Sequence, residues 1–272
     1  MGDMKTSLQG KLAIVTGGAG GMGRSHALRL AELGANVAII DIDLKVAARY
    51  GETLSAASVR DEILNLGRDS IAIEADLSDR KAAFDAVHQI ERHFGRIDIL
   101  VNNAGGAITP IGSSSASMAS EEDRNTLFAA NFHTAVNMCQ ACVPALIKEG
   151  GVIVNISTVG VCLDDAAARF AMYSASKAAV EKYTRSLAVE LGPKQVRVNC
   201  IAPGLIATPR VASQAAARNL ATGGQADAIP LRRLGQASDI TGVVEFLVSD
   251  LASYVTGECI RVSGGLQLQT RT

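Results

Sequence analysis

No uninterrupted apolar run in the 272 residues approaches the ~20 that a membrane-spanning helix requires, although 48% of the side chains are hydrophobic. The expectation is a soluble protein with no membrane partner. Residues 1–9 lack the basic start and apolar stretch of a secretory signal, so a cytoplasmic location is expected. Neither sign of charge is in excess: 26 Lys and Arg stand against 27 Asp and Glu, interspersed along the chain. That balance excludes the basic footprint needed for nucleic acid or an anionic membrane. The five cysteines form no disulfide framework and read as reduced thiols. Cys139-Gln-Ala-Cys142 has the C-x-x-C spacing of redox and zinc sites. It lies mid-helix in an apolar stretch without a second pair, and reads as two small buried hydrophobes. His26, His88, His93 and His133 show no metal-ligand spacing, so no metal is expected. A G-x-S-x-G nucleophile elbow is also absent, which disfavours hydrolase chemistry.

What is present is alternation. Short β-branched runs at residues 12–15, 36–40, 70–74, 97–101, 151–156, 196–200 and 258–262 are separated by helical patterns at 21–33, 56–66, 79–94, 121–148, 171–191 and 237–249. Seven strands alternating with helices predict an α/β, doubly wound Rossmann fold with a seven-stranded parallel sheet. The strands are apolar on both faces, so helices should cover both. No linker or repeat divides the chain, and one domain over residues 1–272 is expected, long enough to bury a substantial core. Two stretches interrupt the pattern, 112–120 and 205–230. Both follow the C-terminal end of a strand, where open α/β sheets bind ligands. The second reads either as a substrate lid or as a helical surface insertion.

The first strand runs into Thr16-Gly-Gly-Ala-Gly-Gly-Met-Gly23 and then a helix. Glycines let the backbone approach a pyrophosphate, and the helix N-terminus supplies N–H groups and a favourable dipole. The spacing is Gly17-x-x-x-Gly21-x-Gly23 rather than G-x-G-x-x-G. Asp41 ends the second strand 18 residues past Gly23, where a carboxylate can accept from the adenosine ribose hydroxyls and repel a 2′-phosphate. With no Lys or Arg in the glycine turn, NAD is favoured over NADP; the alternative is that Asp41 merely caps a turn. Asp76-Leu77 closes the third strand, where Asp76 could meet an adenine edge or, taken alone, signal a helix N-cap. Asn102-Asn-Ala-Gly105 closes the fourth. In Tyr173-Ser-Ala-Ser-Lys177 a phenol and an ammonium share one helix face at i and i+4. The ammonium favours the phenolate, lowering a phenol pKa from about 10 toward neutrality, as a proton shuttle for an alcohol needs.

Together with Pro203-Gly-Leu-Ile-Ala-Thr208, these motifs resemble the single-domain, NAD-dependent type of the short-chain dehydrogenase/reductase family, over residues 10–265. The resemblance implies an alcohol dehydrogenase or ketoreductase with a catalytic Asn, Ser, Tyr and Lys, often as a homotetramer. It assigns Asn131 as the residue that bends its helix and holds a water in the proton relay, Tyr173 as acid/base and Lys177 as its activator. The cofactor contacts it implies are the glycine turn (Gly17, Gly21, Met22, Gly23), Asp41, Asp76, Leu77, Asn103, Gly105, Tyr173, Lys177, Pro203, the Ile206 backbone and Thr208, which orients the carboxamide.

Two departures from the family pattern affect the substrate side. The fifth strand ends in Asn155-Ile-Ser-Thr158, and the family serine falls at Thr158, leaving Ser157 as the alternative hydroxyl. The interval to Tyr173 is longer than usual and contains Asp164 and Asp165. Gly23-Arg-Ser-His-Ala27 and residues 43–58 also resemble a subgroup that holds NAD tightly and passes electrons to a redox carrier. The expected reaction is hydride transfer between NAD(H) and the carbinol or carbonyl carbon of a secondary alcohol or ketone. A catalytically idle NAD sensor of the same fold is the main rival. A sugar-nucleotide epimerase would need a further substrate domain, for which the chain has no length.

Overall fold

The computed structural model describes residues 7–163, 169–213, 224 and 226–268. Seven parallel strands form one sheet: β1 (Leu12–Thr16), β2 (Asn36–Asp41), β3 (Ser70–Glu74), β4 (Ile99–Asn102), β5 (Val152–Ile156), β6 (Arg197–Pro203) and β7 (Cys259–Val262). Their order is β3-β2-β1-β4-β5-β6-β7, the doubly wound arrangement anticipated from the alternation. The order reverses between β1 and β4, whose register pairs Thr16 with Asn102. A crevice opens there, beyond the carboxyl ends of the strands.

Alternate side chains along each strand feed two separate cores. Ala13, Val15, Val37, Ile39 and Val101 pack on one face against α1 (Gly21–Glu32), α3 (Val59–Asn65) and α9 (Ala237–Val248). Leu12, Ile14, Ile40, Leu100 and Ile153 pack on the other against α4 (Arg80–Phe94), α6 (Thr134–Glu149) and α7 (Ala171–Leu191). Cys139 and Cys142 belong to this second core, fully buried, and burial pushes the Cys139 thiol up to about 12 and the Cys142 thiol well above its ordinary value. Such thiols are poor nucleophiles and poor ligands.

The elements differ from the sequence reading where side chains override hydrophobic period. The helix expected over 56–66 starts at Val59, because Ser58 Oγ accepts from Asp61 N–H and caps it there. A short helix α2 (Val46–Arg49) precedes it, too brief to show a period. The helix expected over 121–148 is α5 (Glu121–Phe128), then a π-turn (Ala129–His133), then α6. Asp76 does not cap α4. Asp79 does, its Oδ1 accepting from Lys81 and Ala82 N–H at 2.6 and 3.1 Å, while Asp76 closes a turn on Ser78. Segment 205–230 begins with a short helix, α8 (Pro209–Ser213). Residues 214–223 and 225 of that segment, and Asp164 and Asp165, lie outside the described residues. Among the described residues no helix is long and apolar enough to cross a membrane.

Candidate active site

Two adjoining cavities fill the crevice, and Met22, Asn103, Gly105, Thr208 and Arg210 line both. The first, of about 360 Å³, runs along the glycine turn and the ends of β2 and β3, past Gly17, Gly21, Asp41, Asp76 and Leu77. The second, of about 430 Å³, is walled by the ends of β5 and β6 and the start of α7, and holds Ser157, Thr158, Tyr173, Lys177, Pro203 and Ile206.

The glycine turn allows only backbone where it must. A Cβ on Gly23 would collide with the Gly17 carbonyl, and Gly17 itself has φ +62°, a left-handed conformation that favours glycine. Thr16 Oγ1 accepts from Asn103 and Ala104 N–H at 3.0 Å each, and Asn103 Nδ2 donates to the Thr16 and Gly17 carbonyls at 3.1 Å. These bonds hold the ends of β1 and β4 together. Asn103 Oδ1 is left buried without a partner among the described residues, at the boundary between the two cavities. Asp41 Oδ2 accepts from Ala19 N–H at 3.1 Å, which fixes the carboxylate beside the turn, and burial pushes its carboxyl above the usual range. An orphaned acceptor, a glycine-only cradle and a fixed carboxylate fit an adenosine dinucleotide.

Asn131 sits in the π-turn, 1% exposed, and lines neither cavity. Its Oδ1 accepts from Gly106 N–H at 2.8 Å, and its Nδ2 donates to the Gly106 and Leu127 carbonyls at 3.1 and 2.9 Å. The side chain ties the helix interruption to the backbone leaving β4. Below the site a polar chain links β4, β5 and α7: Asn102 Nδ2 donates to Asn155 Oδ1, and Asn155 Nδ2 donates to Thr184 Oγ1, both at 2.9 Å. Fully buried and bonded at each step, it registers α7 against the sheet.

Lys177, 3% exposed, donates from Nζ to the Ile156 carbonyl at 2.8 Å. Burial lowers its pKa to about 8, so the side chain is still mostly an ammonium at neutral pH. Tyr173 is one turn earlier on α7, facing the larger cavity. The two hydroxyls after β5 are differently committed. Ser157 Oγ donates to Glu181 Oε1 at 2.8 Å, whereas Thr158 Oγ1 accepts from Gly160 N–H at 3.2 Å. Thr208 Oγ1 accepts from Val211 N–H at 3.3 Å, and the Leu205–Ala207 backbone pairs with Gly235, which fixes the wall opposite the glycine turn.

The motifs do not single out three residues that the fold brings here. Glu181 is one turn past Lys177 on the same face of α7, a position the i, i+4 period reaches. Arg210 is two residues beyond Thr208, on α8. Glu52 comes from the segment 43–58, and its Oε1 accepts from Gly21 N–H at 2.7 Å. In the Gly23-Arg-Ser-His-Ala27 run, Arg24 forks onto Glu62 at 2.7 and 2.8 Å, and Ser25 and His26 both bond Thr241 of α9. These side chains pin α1 to its neighbours.

A family model described as Enoyl-(Acyl carrier protein) reductase matches residues 17–267. Cyclohexanol dehydrogenase of Rhodococcus sp. (strain TK6) is 43% identical over 266 residues, covering 95% of this chain and 97% of that protein. The 3-oxoacyl-[acyl-carrier-protein] reductase FabG of Staphylococcus aureus (strain N315) is 35% identical, with 95% and 98% covered. Among solved structures, a short-chain type dehydrogenase/reductase from Mycobacterium marinum superposes with a TM-score of 0.84 at 30% identity, covering 96% of this chain and 97% of that one. A 7α-hydroxysteroid dehydrogenase complexed with NADH and 7-oxo glycochenodeoxycholic acid superposes with a TM-score of 0.81 at 32% identity, covering 96% and 95%.

Proposed function

Because the chain belongs to the short-chain dehydrogenase/reductase family, whose members are oxidoreductases that bind a nicotinamide cofactor, we propose that it is an NAD-dependent dehydrogenase of secondary alcohols, reversible toward the ketone. The observation that carries this reading is the buried Lys177 ammonium, fixed one helical turn from Tyr173, in a cavity whose facing wall presents Ser157 and Thr158.

A nicotinamide dinucleotide, when bound, would supply the acceptor for the hydride of the carbinol carbon. The chain's own residues handle the proton and the orientation. Tyr173 as phenolate takes the hydroxyl proton, and the neighbouring Lys177 charge favours that phenolate. Thr158 holds the substrate oxygen: its own oxygen is engaged by Gly160 N–H, which leaves the hydroxyl proton to donate. Ser157 spends its proton on Glu181. Lys177 would also hold the nicotinamide ribose, Thr208 the carboxamide and Asp41 the adenosine ribose. Holding both reactants in one crevice supplies most of the acceleration.

The reacting cavity is apolar over much of its wall, with Val159, Leu163, Phe170, Leu205 and Val211. With a cyclohexanol dehydrogenase among its relatives, alicyclic secondary alcohols are the substrates of choice. We further assign the protein to a homo-oligomer, a tetramer, in the cytoplasm; light scattering after size exclusion checks the former. The deciding experiment is NADH absorbance on incubation with NAD and a panel of secondary alcohols beginning with cyclohexanol. Turnover with at least one member is the expected result. NADH binding without turnover on any alcohol or ketone would instead support the idle sensor.

A further inference from the structure

The N-terminus of α1 is where a dinucleotide's anionic bridge gains from helix N–H groups, yet one of those groups is already taken by a carboxylate, since Gly21 N–H donates to Glu52. The cavity around the turn is rich in negative charge: Asp41, Asp43, Glu52 and Asp76 line it, against two guanidiniums, Arg49 and Arg210. Arg49 is paired with Asp43 at 2.6 Å. Arg24, behind the turn, is forked onto Glu62 and also pairs with Glu52 at 3.6 Å, so these charges are committed to each other and Asp41 and Asp76 are left without a cationic partner among the described residues. An anion entering this cavity therefore meets more repulsion than the helix terminus relieves, unless a cation within reach is uncommitted.

Arg210 meets that requirement. From α8, on the wall that follows β6, its guanidinium crosses the crevice to the backbone that follows β4. Nη1 and Nη2 each donate to the Gly105 carbonyl at 3.4 Å, and a Cβ on Gly106 would collide with Nη2. Among the described residues it has no carboxylate partner. Bonds of 3.4 Å to a neutral acceptor are weak, and a guanidinium has five donors in a fork that matches phosphate oxygens. It lines both cavities, at their junction.

We infer that Arg210 binds the diphosphate bridge of the dinucleotide, exchanging its long bonds to Gly105 for charge-assisted ones. The inference rests on the reading above that the crevice takes a nicotinamide dinucleotide. The excess of carboxylates lies on the adenosine side of Arg210, which favours the diphosphate over an acidic substrate as its partner. Through Arg210, occupancy of the cofactor site reaches α8, whose Val211 lines the substrate cavity. Cofactor binding and the shape of the substrate cavity are thereby linked.

The test is calorimetric titration of wild type, Arg210→Met and Arg210→Lys with NADH, ADP and adenosine. Met should weaken NADH and ADP by about tenfold or more, the size of a charged hydrogen bond, and leave adenosine unchanged. Lys should recover part of the loss, and the salt dependence of ADP binding should be shallower in the Met variant. Thermal unfolding confirms that the variants fold, and Arg210→Gln carries the same comparison if the Met variant does not. Equal NADH and ADP affinities in wild type and Met would overturn the inference. So would an unchanged affinity accompanied by a raised KM for an acidic alcohol alone, which gives the guanidinium to the substrate. Wild type that binds neither NADH nor ADP would instead remove the dinucleotide reading itself.

Discussion

Ser157 and Glu181 form a buried pair in which the serine Oγ donates to the carboxylate at 2.8 Å, from the end of β5 to the third turn of α7. The bond turns the serine proton away from the reacting cavity and leaves its neighbour Thr158 as the hydroxyl with a proton to give. Thr158→Val, which keeps shape and removes the hydroxyl, should lower kcat by about a hundredfold, as loss of one oxyanion-type donor does. Ser157→Ala should cost much less in kcat and show instead as lost stability, because Glu181 loses a buried donor. Steady-state kinetics and thermal unfolding of both variants give the ranking. The reverse order would transfer the role to Ser157.

Tyr173→Phe should retain less than about a tenth of wild-type kcat, given the usual 10²–10⁴-fold size of general acid–base catalysis. NADH affinity, read by nicotinamide fluorescence, should change little, since the phenol oxygen is one contact among many. Residual turnover above that level would assign proton transfer to another group.

Asp41 accepts from the glycine turn at Ala19 and lines the cavity proposed for the adenosine ribose, where its carboxylate would repel a 2′-phosphate. NAD should be preferred over NADP by at least about tenfold in kcat/KM, equivalent to about 1.4 kcal/mol. Asp41→Asn should erase most of that preference by improving NADP rather than by losing NAD. Steady-state kinetics with both cofactors decide it, and equal or better turnover of wild type with NADP would sink the assignment.

The sheet was legible because its signal is local and repeated. Each strand is a short β-branched run, each crossover a helix, and every run such as 12–15 or 36–40 lands in the sheet. The interruption of the helix from 121 to 148 does not show in its hydrophobic period; only the resemblance pointed to Asn131 as the residue that bends it, and its side chain bonds Gly106, 25 residues away. The proposed pair on one helix face, Tyr173 and Lys177, shows in spacing alone. Chemistry assembled across elements does not: Glu52, Arg210 and the Ser157–Glu181 bond depend on how loops pack. The adjacent pair Ser157 and Thr158 could be told apart only once α7 was in place to claim one of them.

Lys177, the proposed activator of Tyr173, is held in the fold at a cost that depends on pH. Burial lowers its pKa from 10.5 to about 8, which means the folded protein holds the proton less tightly than the unfolded chain does. Below about pH 8 both states are protonated and the folded state bears the full penalty of burying the charge, on the order of 3 kcal/mol at 1.36 kcal/mol per pH unit. Between about pH 8 and 10.5 the unfolded chain binds more protons, so this contribution makes stability rise with pH until the penalty is gone. Lys177→Met fills the same space without the charge and loses the charge-assisted bond to the Ile156 carbonyl, worth about 1.5–3 kcal/mol. The variant should therefore be inactive yet at least as stable as wild type at pH 7, by up to about 1.5 kcal/mol, with any gain vanishing by about pH 10.5. Urea unfolding of both proteins without cofactor, at pH 7, 9 and 10.5, measures the difference. A Met variant less stable than wild type at pH 7, or a difference that does not change with pH, would show that the ammonium is not held at a cost to the fold.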